Sequence, residues 1–284
     1  MRIVFVGGGN MASALIGGLV ARGHACDRIA AVERDAAQAE RLSARFGVIT
    51  RDSIDAAAAD GLLAADALVL AVKPQQMREV AAALAPHLGS AAAPLVLSIA
   101  AGVRMADLAR WLGGATRIVR TMPNTPALIG AGITALVASA HASSADRAHA
   151  EAIMDACGQT LWVADESLLD AVTAVSGSGP AYVFYFMEAM QAAACELGLT
   201  VEQARRLTLA TFSGAAQLAA QSEDAPSMLR ERVTSKGGTT AAALAHLQAH
   251  DAGRLLAEAI RAAHRRSVEL GDELSAPATA TRTR

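Results

Sequence analysis

Short runs of apolar, β-branched residues alternate with alanine-rich stretches through the first half of the chain. Arg2-Ile3-Val4-Phe5-Val6 reads as a strand, and Met11 to Arg22 as a helix that Gly23 stops. Ile29 to Val32 reads as a second strand, Ala36 to Arg45 as a helix and Val48-Ile49 as a short third strand. Leu68 to Val72 is continuously apolar, the pattern of a strand buried on both faces. Gln75 to Leu88 is helical in character, and Leu95 to Ser98, Ile118 to Thr121 and Ile133 to Val137 complete the strands. Strand–helix alternation at this spacing predicts an α/β fold with a mostly parallel, doubly wound sheet.

Strand signals stop near Trp162-Val163. Pro180 opens a long helix that runs through Leu197 and ends at Gly198. Thr200 with Gln203 makes a capping box for the next helix. Further helices are expected from about Ser227 to Val233, Thr240 to His250 and Arg254 to Leu270, before a loose tail from Ser275. The pattern thus divides the chain into an α/β domain over 1–162, an all-helical domain over 163–272 and a flexible tail over 273–284, the change falling around residues 160–167.

Composition narrows the function. A length of 284 residues suits roughly two domains of about 150 residues. With 53% hydrophobic and 18% charged residues, the chain is globular in character and not disordered. The 25 basic and 27 acidic side chains leave a net charge of -2, without the basic footprint of a nucleic-acid binder. Aromatics at 3% leave no platform for stacking bases. Cys26, Cys157 and Cys195 are odd in number and far apart, which suits a reducing, cytoplasmic setting and argues against a disulfide frame or a zinc site. Met1 to Val6 is too short for a secretory apolar segment. Thr121 to Ala145 carries no charge, but Pro123, Asn124, Pro126, Gly130 and Gly132 break it into strand, loop and strand, so no membrane span is expected. His246 and His250 lie four apart on a helix without the glutamate of a metalloprotease, and no metal is expected.

Chemistry enters at Gly7-Gly8-Gly9-Asn10-Met11-Ala12, a G-x-G-x-x-A sequence between a strand and a helix. Gly7 permits the tight turn, Gly9 lets the backbone approach a pyrophosphate, and Ala12 lets the helix pack on the sheet. The helix N-terminus offers N–H groups and a positive dipole end to phosphates. This is the dinucleotide-binding turn of a Rossmann-like domain. Beyond the second strand stand Glu33 and Arg34. An acid there binds a ribose 2′-hydroxyl and favours NAD, whereas an arginine meets a 2′-phosphate and favours NADP. The pair leaves NAD(P) open, with a lean to NADPH and NADH as the alternative.

Further segments make the reading specific. They are Ala71-Val72-Lys73-Pro74-Gln75, Ser98-Ile99-Ala100-Ala101-Gly102-Val103, Arg120-Thr121-Met122-Pro123-Asn124-Thr125-Pro126, Ser176-Gly177-Ser178-Gly179-Pro180-Ala181-Tyr182 and Arg232-Val233-Thr234-Ser235-Lys236-Gly237-Gly238-Thr239-Thr240. In this order, with the glycine turn, the set resembles the pyrroline-5-carboxylate reductases from the first strand to roughly residue 270. Lys236 departs from the pattern, being proline in many members.

The resemblance implies reduction of a cyclic imine to L-proline with a nicotinamide cofactor. It implies that Val6, Gly7, Gly8, Gly9, Asn10, Met11, Glu33, Arg34, Ala71, Val72, Lys73, Pro74, Ile99, Ala100, Ala101 and Asn124 line the cofactor site. Asn124 bonds either the cofactor carboxamide or its own backbone. Ser235, Gly237, Gly238, Thr239 and Thr240 would hold the substrate carboxylate in an anion cradle at a helix start. Thr240 would sit near the ring nitrogen, and Ser235 would help fix the loop. The helical domain would interlock subunits, as a homodimer or a ring of dimers. Two other readings stand beside this one. A related imine or β-hydroxyacid reductase would carry a lysine or aspartate on the long helix, where Ala181 to Leu197 offers only Glu188 and Glu196. A dinucleotide sensor without turnover would not need the Ser235–Thr240 cradle.

Overall fold

In a computed structural model, which describes residues 1–88, 93–115 and 117–276, eight strands form one sheet. They are β1 (Ile3–Val6), β2 (Ile29–Val32), β3 (Ile49–Arg51), β4 (Ala67–Leu70), β5 (Leu95–Ser98), β6 (Ile118–Met122), β7 (Gly132–Ala138) and β8 (Gly158–Trp162). The order is β3-β2-β1-β4-β5-β6-β7-β8. All pairings from β3 to β6 are parallel, β7 runs antiparallel to β6, and β8 is parallel to β7. Register decides where the functional loops emerge. Val6 lies opposite both Val32 and Leu70, so the turns after β1, β2 and β4 leave the sheet at one level and one edge. The chain changes winding direction between β1 and β4, and such switch points open the crevice used by ligands.

Helices α1 (Asn10–Ala21), α2 (Ala36–Phe46), α3 (Ile54–Ala59), α4 (Met77–Leu84), α5 (Met105–Trp111) and α6 (Ser144–Met154) cover the two faces. Phe5, Leu97, Ile16, Leu42 and Ile153 pack together on the side of α1, α2 and α6. Val4, Leu68, Leu70, Met77, Leu84 and Leu108 pack on the side of α3, α4 and α5. β1, β2, β4 and β5 are buried at every position, as continuously apolar strands between two helix layers must be.

The later segments are α7 (Leu168–Val172), a π-helical turn (Thr173–Gly177), α8 (Gly179–Glu196), α9 (Val201–Ala220), α10 (Pro226–Arg232), α11 (Thr239–Ala249) and α12 (Ala252–Ser275). The Thr200–Gln203 capping box is present at the start of α9. The chain forms two compact units, one of Met1–Ser178 with the described residues from Ala263, the other of Gly179–Ala262. In the second unit α8 packs along α9. No residue of α8 is buried within the chain, and Phe184 and Tyr185 are exposed. Phe184 and Tyr185 therefore belong to no core of the single chain.

The structure adds helices α3, α5, α6 and α7, which the sequence reading does not name, and departs from it at several further places. β8 is a strand the sequence does not signal, because its residues alternate between exposed and half-buried and carry no long apolar run. The predicted strand Leu68–Val72 stops at Leu70, because Ala71 and Val72 turn into the cleft described below. The predicted helix Gln75–Leu88 is α-helical over Met77–Leu84 only, with single 3-10 turns at Pro74–Gln76 and Ala85–His87, the first opened by Pro74 and the second holding Pro86 at its middle position. The last helix reaches Ser275, so residues 273–275 are helical where the sequence read a tail, and 277–284 lie outside the described residues. Tertiary bonds explain the extension. Arg104 pairs with Asp272 at 2.5 Å, Ser275 donates to the Asp107 carboxylate, and Arg78 donates to the Ala276 carbonyl at 2.5 Å. These bonds also place this end of α12 in the first unit.

Candidate active site

The turn after β1 is held by the strands beside it. Gly7 N–H donates to the Val32 carbonyl at 2.8 Å, and Ala71 N–H donates to the Val6 carbonyl at 2.8 Å. Gly7 has φ +100°, and a Cβ there would stand 2.8 Å from the Ala71 carbonyl oxygen. Both facts require glycine. The Gly8 peptide is fastened at both ends. Its N–H donates to Glu33 Oε2 at 2.7 Å, and its carbonyl accepts from Gln38 Nε2 at 2.5 Å. The other Glu33 oxygen accepts the Asp35 N–H at 2.9 Å. Gly9 is different: it is the N-cap of α1, and a Cβ there would meet nothing within 4 Å. No side chain caps α1. Its first-turn N–H groups have no partner within the helix, and its N-cap Gly9 lines an opening.

That opening belongs to a cleft of about 510 Å³. Of the residues expected at the cofactor site, Val6, Gly7, Gly8, Gly9, Glu33, Arg34, Ala71, Val72 and Lys73 line it. Asn10 and Met11 form the start of α1 next to it, and Pro74 opens the 3-10 turn after Lys73. Ile99, Ala100 and Ala101 follow β5, which pairs with β4. Asn124 is tied to the backbone: its Oδ1 accepts the Ile133 N–H at 2.9 Å and so braces the loop between β6 and β7. Sequence reasoning missed Ser53, Asp55, Gln76 and Glu79, all of which line the cleft. Ser53 follows β3 and caps α3 by accepting the Ala56 N–H at 3.2 Å. Its place after a strand in a parallel sheet was a usable signal. Glu79 sits in the first turn of α4, where nothing in the local sequence marks it.

The fit to a dinucleotide rests on this geometry. An uncapped helix start, an unobstructed Gly9 and an acid beside the glycine turn are what a pyrophosphate and an adjacent ribose need.

In the second unit, Ser235 to Thr240 form a turn running into α11. Gly238 N–H donates to the Ser235 carbonyl at 3.0 Å, and Gly237 has φ +73°. A Cβ on Gly238 would strike Ser235 Oγ at 2.4 Å. Gly238 is the N-cap of α11 and makes no side-chain cap bond. Thr239 and Thr240 are the first two helical residues, so neither hydroxyl serves as the N-cap. Thr239 and Ser235 are exposed, and Thr240 is half-buried. Arg232 pairs with Asp224 and anchors the end of α10 ahead of this turn.

Residues 166–270 match the profile described as pyrroline-5-carboxylate reductase dimerisation, and residues 2–102 match that of NADP oxidoreductase, coenzyme F420-dependent. The pyrroline-5-carboxylate reductase of Pseudomonas aeruginosa is 48% identical over 273 residues, covering 96% of this chain and 98% of that protein. The chain belongs to the pyrroline-5-carboxylate reductase family. The solved structure of a pyrroline-5-carboxylate reductase from Coxiella burnetii is 42% identical and superimposes with a TM-score of 0.88, covering 95% of this chain and 98% of that one. A Plasmodium falciparum pyrroline carboxylate reductase, solved with NADP bound, is 28% identical with a TM-score of 0.82 over the same shares. Likeness to pyrroline-5-carboxylate reductases thus spans both units, and it includes the glycine turn and the Ser235–Thr240 turn. Among the described residues no helix is long and apolar enough to cross a membrane.

Proposed function

We infer that this chain reduces 1-pyrroline-5-carboxylate to L-proline with NADPH, the last step of proline biosynthesis. Identity of 48% across nearly the whole chain, joined to a glycine turn left open for a pyrophosphate, carries the reading. When bound, the nicotinamide supplies a hydride to the imine carbon, and the ring nitrogen ends protonated. The protein's part is binding and orientation. Gly7, Gly8 and Gly9 receive the pyrophosphate, with the first-turn N–H groups of α1 as donors. Val6, Asn10, Met11, Glu33, Arg34, Ala71, Val72, Lys73 and Pro74 border the dinucleotide, and Ile99, Ala100, Ala101 and the loop braced by Asn124 shape its nicotinamide end.

Ser235, Gly237, Gly238, Thr239 and Thr240 bind the substrate carboxylate through the uncapped start of α11. Thr240 hydrogen-bonds at the ring nitrogen, and Ser235 fixes the turn. Residues 1–162 act as the cofactor domain and 163–272 as the substrate and dimerisation domain. The unburied, apolar surface of α8 supports self-association as a homodimer or a ring of dimers. The protein works in the cytoplasm, with no nucleic-acid or membrane partner.

The test is oxidation of NADPH, and separately of NADH, by the purified protein given pyrroline-5-carboxylate. Substrate-dependent oxidation that yields proline is the expected result. A folded protein that binds dinucleotide but turns over neither cofactor would overturn the substrate assignment.

A further inference from the structure

The end of the cleft beyond β2 holds more negative than positive charge. Its charged lining groups are Glu33, Asp35, Asp55 and Glu79 against Arg34 and Lys73. Glu33 is not a movable member of this set, because backbone N–H groups of Gly8 and Asp35 hold its two oxygens. Its remaining lone pairs can accept from a ribose 2′-hydroxyl. They can only repel a 2′-phosphate, which brings about two negative charges near neutral pH. Arg34 is therefore the cation on which a 2′-phosphate must rely, and it already has a partner. Its Nη1 lies 3.6 Å from Glu79 Oε1 across the cleft, and both side chains are mostly solvent-exposed.

We propose that Glu79 sets the balance between NADPH and NADH by competing with the 2′-phosphate for Arg34. NADPH must draw the guanidinium away from a carboxylate, whereas NADH leaves the Arg34–Glu79 pair intact and uses Glu33. The chain accordingly accepts both cofactors, with a preference for NADPH smaller than Arg34 alone would confer. The proposal rests on the dinucleotide reading of the cleft given above. Exposed ion pairs are weak, so the competition corresponds to a change of about two- to five-fold in relative affinity.

Equilibrium binding tests it, with NADPH and NADH titrated separately by fluorescence into the full-length protein and the variants Glu79→Gln, Arg34→Ala and the double variant. Glu79→Gln is expected to shift the ratio of the two Kd values toward NADPH by about two- to five-fold, less at high salt. In the Arg34→Ala background the same substitution is expected to have lost that effect. An unchanged ratio in Glu79→Gln, or a full shift that persists without Arg34, overturns the competition. Glu79 is surface-exposed, so its substitution does not threaten the fold, and retained NADH binding confirms this. If the unsubstituted protein binds neither dinucleotide, the reading of the cleft itself fails, an outcome distinct from an unmoved ratio.

Discussion

Replacing Gly9 by valine separates ligand space from packing space. The three glycines of the turn differ in what a side chain would meet. At Gly7 the backbone has φ +100° and a Cβ would lie 2.8 Å from the Ala71 carbonyl oxygen. A left-handed conformation costs an L-residue about 1–2 kcal/mol, and relieving such a clash costs about 1–3 kcal/mol more. At Gly9 the backbone has φ -64° and ψ -173°, which any residue adopts, and a Cβ meets no atom within 4 Å. The folding cost expected of Gly9→Val is that of a poorer N-cap, about 1 kcal/mol.

The cost to the ligand is far larger. A branched side chain in that space keeps a pyrophosphate from the first-turn N–H groups. Losing two charge-assisted hydrogen bonds, at about 1.5–3 kcal/mol each, weakens binding by about 10²- to 10⁴-fold. The assays are thermal unfolding without cofactor and titration with NADPH. Gly9→Val should melt within a few degrees of the unsubstituted protein yet show almost no NADPH binding. Gly7→Ala should lose both stability and binding. NADPH bound by Gly9→Val with ordinary affinity would remove the pyrophosphate from this turn, and a Gly9→Val protein that failed to fold would refute the claim that the space is empty.

Thr240→Ala should lower kcat strongly while leaving the NADPH Kd within about two-fold, and parallel losses in both would point to a collapsed turn. The Asp146 carboxyl is held down to about 2, chiefly by the hydrogen bond from Arg117 at 2.5 Å. A depressed carboxyl stabilises the fold above its unfolded value near 3.8 and loses that contribution as pH falls through about 2. Asp146→Asn should therefore cost about 2 kcal/mol at neutral pH and much less near pH 2, as read by urea unfolding at the two pH values. Equal losses at both would discard the ion pair as the cause. Burial pushes the Cys157 thiol up to about 11. It should resist iodoacetamide at pH 8 until the protein unfolds, while exposed Cys26 reacts first. Mass spectrometry of the labelled peptides decides the order.

The strand–turn–helix at Gly7–Ala12, the buried β1, β2, β4 and β5, and the capping box at Thr200 were legible in the chain because each depends on residues close in sequence. Periodicity, glycine placement and caps are local properties. The Ser235–Thr240 turn was legible for the same reason, although its N-cap is Gly238 and not a threonine. What lay beyond the sequence were contacts between distant residues. Asn124 had two possible partners, and the tertiary structure gave its oxygen to Ile133. The last turn of α12 is held by Arg104, which pairs with Asp272, and by Asp107, which accepts from Ser275, both far back in the chain. Glu79 carries no motif; the winding of the sheet brings α4 beside the turn after β2 and sets its carboxylate against Arg34. Local physics determined the elements and the two glycine turns. Only three-dimensional packing decided which charges share the cleft, because that depends on which strand ends lie side by side.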